Sequence, residues 1–243
     1  MTRRGSAPKP SRILDEEEVF YSKSNWKLLS RMRETATQTI MSLGSWQHSA
    51  FVHGSLARGD VDEKSDVDVV IPLTVNTQMI EARLGLAGIE PTAREIEQAT
   101  PKHSPKARMF LDPEQRVSVT IPLSPFRTLE EQFYVYGGKA SIGELGRNVR
   151  MKGCTKRLTL IEPVETGHRE WSIIGRETEA ALALGIKPDI VRERLRVLSR
   201  RDEVGRTGIF LTIAVPPSTS FEEALLEETK SNPALRRTLR ARR

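Results

Sequence analysis

The chain has 243 residues, of which 37% are hydrophobic and 5% aromatic, and Cys154 is its single cysteine. This size allows one or two domains with a buried core, while one cysteine excludes an intrachain disulfide and a cage of thiolate metal ligands. The sequence has no run of the roughly 20 apolar residues that spans a bilayer. Its polar, basic start is unlike a secretory signal. We therefore expect a cytoplasmic protein with no membrane partner.

The formal net charge is +6, and it comes from the two ends of the chain. Residues 1–12 contain four basic residues and residues 231–243 contain five, with no acid in either segment. The remaining sequence carries 29 basic and 32 acidic residues, so it is slightly acidic. Basic ends of this kind are either phosphate-binding segments or solvated termini, so the charge alone leaves binding to RNA or DNA open.

Hydrophobic periodicity and turn residues divide the first half of the chain into short alternating elements. We predict helices over 25–43, 77–86 and 92–98, strands over 49–53 and 66–73 joined by the loop 54–65, and strands over 107–111 and 116–123 flanking the turn 112–115. These elements predict an α+β fold in which a small mixed sheet is covered by helices. The corresponding domain covers residues 25–125 and follows a flexible arm of residues 1–24.

The second half of the chain has a different pattern. Residues 126–170 form a connecting region with one predicted strand over 156–162. Helices over 176–184 and 188–200, a glycine-bearing turn and a strand over 209–215 then follow in the order of a winged helix-turn-helix. We therefore predict a smaller, mostly helical winged-helix-like domain over 171–217 and a basic helical tail over 218–243.

The most informative stretch is Gly54-Ser55-Leu56-Ala57-Arg58-Gly59-Asp60, followed by Ser65-Asp66-Val67-Asp68-Val69-Val70-Ile71. Two acids that are two residues apart on a strand point to the same face, while the intervening valines pack into the core. Neighbouring carboxylates repel each other unless a cation lies between them, and Mg²⁺ prefers such hard oxygen ligands together with substrate phosphates. Glycine allows close backbone approach, and free N–H groups at a helix start bind phosphate.

These residues resemble the signature of the polymerase-β-type nucleotidyltransferase superfamily. The resemblance rests on Gly-Ser and Asp-x-Asp, separated by ten residues and set in apolar strands. Residues 152–168, together with the predicted winged helix, also resemble a group of archaeal-type predicted nucleotidyltransferases.

The resemblance implies a reaction and assigns roles to individual residues. Asp66 and Asp68 would be the catalytic residues and would coordinate two metal ions, Mg²⁺ or Mn²⁺. Four residues would bind the nucleoside triphosphate, ATP or another NTP, namely Gly54, Ser55, Arg58 and Ser65, with Arg58 either reaching the triphosphate or bracing the loop. A hydroxyl of a nucleic acid or protein acceptor would attack the α-phosphate and release pyrophosphate.

One expected part of the site is missing from the sequence. The superfamily usually places a third carboxylate on a later strand, and the strand over 116–123 contains no acid. Asp112 and Glu114 in the preceding turn, or Glu165 and Glu170 further on, are the alternatives. Without such an acid, the chain is either a slow enzyme or a nucleic-acid-binding regulator with a nucleotide-sensing, catalytically weak domain.

Basic residues outside this stretch are candidates for binding the acceptor. Lys102, His103 and Lys106 lie in and next to a proline-containing loop, where they either contact the acceptor or belong to an ordinary solvated connection. Arg192 and Arg196 lie on the second predicted helix of the winged-helix region, whose arginines would contact RNA or DNA if it is a recognition helix. A domain of that fold also serves as a protein-interaction module.

Overall fold

The computed structural model describes residues 16–204 and 208–242. Its strands are β1 (Glu17–Phe20), β2 (Phe51–His53), β3 (Val67–Val70), β4 (Ala93–Gln98), β5 (Lys106–Phe110), β6 (Val117–Pro122), β7 (Lys139–Ser141), β8 (Gly153–Cys154), β9 (Thr159–Val164), β10 (Gly167–Ser172) and β11 (Leu211–Ala214). Its helices are α1 (Lys23–Ser42), α2 (Ser55–Arg58), α3 (Thr77–Leu86), α4 (Thr128–Gly137), α5 (Ile142–Gly146), α6 (Glu177–Leu184), α7 (Pro188–Val204), α8 (Phe221–Ser231) and α9 (Pro233–Arg240), with a 3₁₀ helix over Gly44–His48. The mixed α and β content agrees with the predicted fold class.

A seven-stranded sheet forms the centre of the molecule. Its strand order is β11-β4-β5-β6-β3-β2-β7. Strands β3 and β6 run parallel, and the other neighbours run antiparallel. The predicted alternation is confirmed in β3, where Val67 and Val69 are buried in the main core while Asp68 lies on the opposite face. The hairpin predicted around residues 112–115 is confirmed by the antiparallel pairing of β5 and β6.

A second sheet has the strand order β1-β10-β9-β8. Its first strand corrects the prediction of a flexible arm over residues 1–24, because β1 pairs with β10 and α1 begins at Lys23. Tyr21 fixes this segment, since its ring lies 5.0 Å from that of Trp26 and its hydroxyl lies 2.7 Å from Nδ1 of His168. Residues 1–15 of the predicted arm lie outside the described residues.

The helix predicted over 92–98 is wrong, because residues 93–98 form β4. Alanine, glutamate and glutamine favour helices in isolation. Here the segment pairs with β5 on one side and β11 on the other, and it buries Ile96 and Gln98. Pairing on both edges and burial outweigh the local preference.

The winged-helix arrangement predicted over 171–217 is not confirmed. Helices α6 and α7 are present and pack against each other around Ala181, Ile190 and Val191. The strand expected to form the wing, β11, instead pairs with β4 in register Ile213 to Ile96 and so completes the edge of the large sheet.

The C-terminal segment returns to the main core. Phe221 and Leu225 of α8 and Leu235 of α9 are buried in the same cluster as the valines of β3. The predicted basic tail is therefore helical, and one face of it is part of the folded core. Among the described residues, every helix is too short or too polar to traverse a lipid bilayer.

Candidate active site

The turn between β2 and α2 is built around Gly54. Its backbone angles are φ 85° and ψ −144°, a conformation that glycine adopts readily and other residues do not. Its N–H donates to the carbonyl oxygen of Gly138 at 3.0 Å, which fixes the turn. A Cβ atom added to Gly54 would meet nothing within 4 Å. The turn therefore presents bare backbone to open space, as close approach by a phosphate requires.

Two hydroxyl groups lie beside this turn. The Oγ of Ser55 donates to the Oγ of Ser65 at 3.2 Å. Ser65 is held in turn by Asp62, because its Oγ accepts from the Asp62 N–H at 2.9 Å and donates to Oδ1 of the same residue at 3.1 Å. This contact places the start of α2 against the residue that precedes Asp66. The structure thus brings together the two serines that the sequence assigned to nucleotide binding.

The guanidinium of Arg58 is buried, and it forms hydrogen bonds with other groups of the protein. Its Nη1 donates to the carbonyl oxygen of Gly137 at 2.6 Å, and its Nη2 pairs with Asp60 at 2.9 Å. A Cβ on Gly138 would lie 2.6 Å from Cγ of Arg58, so only glycine permits this packing. Of the two roles left open for Arg58, this placement favours bracing the loop over contacting the triphosphate.

The two acids of the motif have different surroundings. Asp66 is exposed, and among the described residues no hydrogen-bond or ion-pair partner holds its carboxylate. Desolvation and the neighbouring charge of Asp68 raise the pKa of Asp66, while the cations of Arg108, Arg116 and Lys156 oppose this. A divalent cation bound here would offset the repulsion between the two carboxylates and so stabilise the ionised form of Asp66.

Asp68 is half-buried and has two donors on one oxygen. Ser118 of β6 lies directly opposite it in the parallel register and donates from Oγ to Oδ1 at 2.8 Å. Arg108 of β5 donates from Nη2 to the same oxygen at 3.0 Å. The sequence did not identify either residue as part of the site. Both lie on the sheet face of Asp68, but only the strand register brings them to it.

The four candidates for a third carboxylate do not join this site. The carboxylate of Asp112 accepts from the N–H groups of Arg116 and Val117 within the β5–β6 turn, and Glu114 is exposed in the same turn. Glu165 and Glu170 belong to the β9–β10 hairpin of the other sheet. Throughout residues 16–204 and 208–242, no group of three His, Cys, Asp or Glu side chains is arranged to hold a metal ion.

The donor set fits one divalent ion and not two. Asp66 and the second oxygen of Asp68 provide hard carboxylate oxygens, which is the protein contribution that Mg²⁺ usually has when substrate phosphates complete its shell. The first oxygen of Asp68 already accepts from Arg108 and Ser118. A second ion would need that oxygen and a further acid.

His53 lies at the wall of the site, next to Gly54. Its ring packs edge-on against Tyr134 at 5.1 Å and contacts Phe133 at 5.3 Å. Burial, the main cause, lowers the pKa of His53 to about 4; the charges of Arg58 and Lys106 act in the same direction, while the charge of Asp68 and the hydrogen bond with the Gly138 carbonyl oppose it. The imidazole is therefore neutral at physiological pH, which favours a structural role.

We expect the imidazole of His53 to stay neutral until the pH falls to about 4, instead of titrating at its ordinary value of 6.5. Between these values the unfolded chain takes up a proton that the folded chain does not, so stability falls as the pH falls from 6.5 towards 4. Imidazole chemical shifts followed by NMR across this range test the prediction. A His53 midpoint near 6.5 would show that the ring is hydrated.

The acceptor-binding candidates lie in separate places. Lys106 lies on the sheet face of Asp68, where its Nζ donates to the Tyr134 hydroxyl at 3.0 Å and lies over the Phe126 ring. Lys102 is exposed, and His103 contacts Thr100 in the preceding loop. The other two candidates, Arg192 and Arg196, are exposed on α7, with Arg192 3.5 Å from Asp189.

A protein-family model matches the part of the chain that contains this site. Residues 38–118 match the model of the nucleotidyltransferase domain family. No curated protein matches the chain. The matched region runs from within α1 to Ser118 and contains Gly54, Ser55, Asp66 and Asp68. The match supports placing residues 38–118 in the polymerase-β-like superfamily and supports nucleotidyl transfer as their general function.

Proposed function

We propose that this protein is a metal-dependent nucleotidyltransferase, which moves a nucleoside monophosphate from a nucleoside triphosphate to a hydroxyl of a nucleic acid or protein. The observation that carries the proposal is the 3.2 Å contact between Ser55 and Ser65. It holds the open glycine turn beside the residue preceding Asp66, so a phosphate cradle and a carboxylate pair face the same space. A triphosphate with a bound cation needs both groups together.

Each part of the site has a separate task. The backbone at Gly54 and the hydroxyl of Ser55 bind and orient the terminal phosphates, while Arg58 keeps the turn in place. Asp66 and Asp68 would hold Mg²⁺ or Mn²⁺, which would supply positive charge to neutralise the phosphates. Lys106, on the same sheet face as Asp68, adds positive charge to that face.

One observation favours a second function, that of a nucleic-acid-binding regulator that senses nucleotide with weak or no transfer. The position opposite Asp68 on β6 holds Ser118 in place of an acid. An acid there would help to deprotonate the attacking hydroxyl. Binding of the triphosphate without turnover is the behaviour that this arrangement would support.

Both functions require binding of a nucleoside triphosphate, and calorimetry tests that binding. ATP and the other three nucleoside triphosphates are titrated into the full chain, first with Mg²⁺ and then with a chelator. We expect binding that the chelator weakens strongly. Release of pyrophosphate in the presence of RNA or protein acceptors then separates the enzyme from the regulator. If none of the four triphosphates binds in a metal-dependent way, both functions are excluded.

The nucleic-acid partner is tested on the C-terminal helices. Arg237 and Arg240 are exposed on α9, whose other face is buried. Replacing both with alanine is expected to weaken binding of single-stranded RNA. The slope of log affinity against log salt should fall by roughly 0.7 to 0.9 for each phosphate that these arginines neutralise.

The matched control replaces Lys27 and Arg31, which are exposed on α1. It removes the same charge, and we expect it to leave the salt slope unchanged. Equal slopes for wild type and the α9 variant would show that α9 does not contact phosphate. Removing α9 entirely is a poorer test, because Leu235 and Thr238 are buried.

A further inference from the structure

We propose that Arg108 is a built-in cation of the carboxylate pair: it neutralises Asp68, limits the site to one divalent ion, and binds the phosphates of the nucleotide. This proposal rests on the proposed function, since it concerns how the same site handles a triphosphate. It assigns a substrate-binding role to a residue on β5, a strand from which the sequence suggested only Lys106.

The guanidinium of Arg108 reaches across the sheet from β5 to β3. Its Nη2 lies 3.0 Å from Oδ1 of Asp68, and its Nε lies 3.3 Å from Oγ of Ser118. Ser118 is the residue opposite Asp68 in the parallel register, and its Oγ also contacts Oδ1 at 2.8 Å. Serine and guanidinium together occupy the place beside Asp68 that an acidic residue on β6 would take.

Arg108 is held in this position from its other side. Its Nη1 lies 3.7 Å from the Oε2 of Glu97 on β4, and its guanidinium lies over the ring of Phe110 at 4.7 Å. The side chain is 24% exposed, against 25% for Glu97 and 35% for Asp68. A partly buried arginine between two acids keeps its orientation, and its exposed edge remains available to a ligand.

These contacts decide how many metal ions the site takes. Two ions held by a shared carboxylate would need both oxygens of Asp68, and Oδ1 already accepts two hydrogen bonds. Removing Arg108 alone would free that oxygen partly, and an acid at position 118 would supply the missing ligand. The charge of Arg108 would thus offset the charge of Asp68, as a second ion would otherwise do.

The same guanidinium is suited to phosphate. Arginine presents planar N–H groups that match phosphate oxygens and stays charged at any physiological pH. Arg116 and Lys156 are also close enough to Asp66 to influence its pKa, but Arg108 alone among these three is held between carboxylates. Arg108 is therefore a fixed cation beside the carboxylates that would also bind the phosphates of a triphosphate.

The first test counts bound Mn²⁺ by electron paramagnetic resonance on the full chain, with a triphosphate analogue whose α–β bridge is a methylene group. We expect one ion per wild-type chain and two for the double variant Arg108→Ala/Ser118→Asp. Circular dichroism checks that the variant folds, and Ser118→Ala serves as a control that keeps one ion. Two ions on the wild type, or one on a folded double variant, would overturn the role of Arg108, whereas no ion on the wild type would overturn the proposed function.

A second measurement does not depend on the double variant. With a chelator present, the wild-type chain is expected to retain weak binding of the triphosphate analogue, and Arg108→Gln is expected to lower that affinity about 10-fold. Arg108→Lys keeps the charge and should restore part of the affinity. An Arg108→Gln variant that binds the analogue as well as wild type without metal would show that Arg108 only stabilises the sheet.

Discussion

Replacing Asp66 with asparagine is expected to weaken metal-dependent binding of a nucleoside triphosphate at least about 100-fold and to leave the folded structure intact. The side chain is exposed and has no partner among the described residues, so its loss removes a metal ligand and no internal contact. Asparagine keeps the shape but lacks the negative charge. Calorimetry with Mg²⁺ and triphosphate measures the affinity, and thermal unfolding measures the stability.

Glu63→Gln is the matched control, because this residue is exposed in the same loop and loses the same charge. Its affinity should equal that of wild type. Asp68→Asn is expected to lose metal-dependent binding as well, but it also disturbs Arg108 and Ser118 and so gives a less specific result. Wild-type affinity in Asp66→Asn would remove this acid from the site.

Replacing Glu130 with alanine is expected to lower the free energy of unfolding by about 3–5 kcal/mol. Its carboxylate pairs with Arg242 at 2.6 Å, and the two side chains are only 6% and 2% exposed. It also accepts from the N–H groups of Ser104 at 2.6 Å and Arg127 at 2.9 Å. The substitution leaves a buried guanidinium without its counter-ion and two N–H groups without their acceptor, a combination that is far more costly than removing an exposed ion pair. Chemical denaturation measures the change.

Glu131→Ala is the control for this prediction. Its side chain is exposed on the same helix, and we expect a change within about 0.5 kcal/mol. A loss of stability in Glu130→Ala no larger than that of the control would mean that Arg242 escapes to solvent and the pair contributes little.

The pH dependence of Glu130 has a definite sign. Desolvation raises the pKa of Glu130, but hydrogen bonds from Arg127, Ser104 and Arg242 outweigh it, so the pKa lies below the ordinary value of 4.5. Its contribution to stability is therefore present above pH 4.5 and is lost as the pH falls through the lower, folded value. Glu130→Gln should flatten this acid limb of the stability curve.

The centre of the candidate site was predictable because its chemistry is local in sequence. Val67 and Val69 alternate with the acids, and that spacing alone predicts that the valines are buried and that Asp68 lies on the opposite face, whereas Asp66 lies just before the strand. Gly54 predicts a turn whichever strands pair on either side of it. The helix over 25–43 was predictable for the same reason, since its apolar residues recur at helical spacing.

The predictions that failed concern elements whose structure depends on contacts between distant segments. Residues 93–98 are helix formers that become a strand because β5 and β11 pair with both of their edges. Residues 17–20 carry three charged or aromatic side chains in four positions, and they become a strand because β10 offers a free edge. Neither pairing is visible in the local pattern.

Arg108 shows the same limit within the site. The alternation of β5 places this residue on one face, but the sequence does not say which strand lies next to it. Only the order β5-β6-β3 and the register of Asp68 with Ser118 bring its guanidinium to the carboxylate. The sequence of residues 116–123 shows that this strand lacks an acid, but it does not show that Arg108 lies beside Asp68.

The pairing of β11 with β4 also has a consequence for synthesis of the protein. On the ribosome, β4 emerges long before β11, so the growing chain holds an open sheet edge until residues 211–214 have been translated. Open edges are templates for aggregation, and charged side chains are a common protection against it. Glu95 and Glu97 lie on that edge, and their charges would repel a second nascent copy of the same strand. The acids of β4 would thus protect this edge against aggregation before β11 pairs with it.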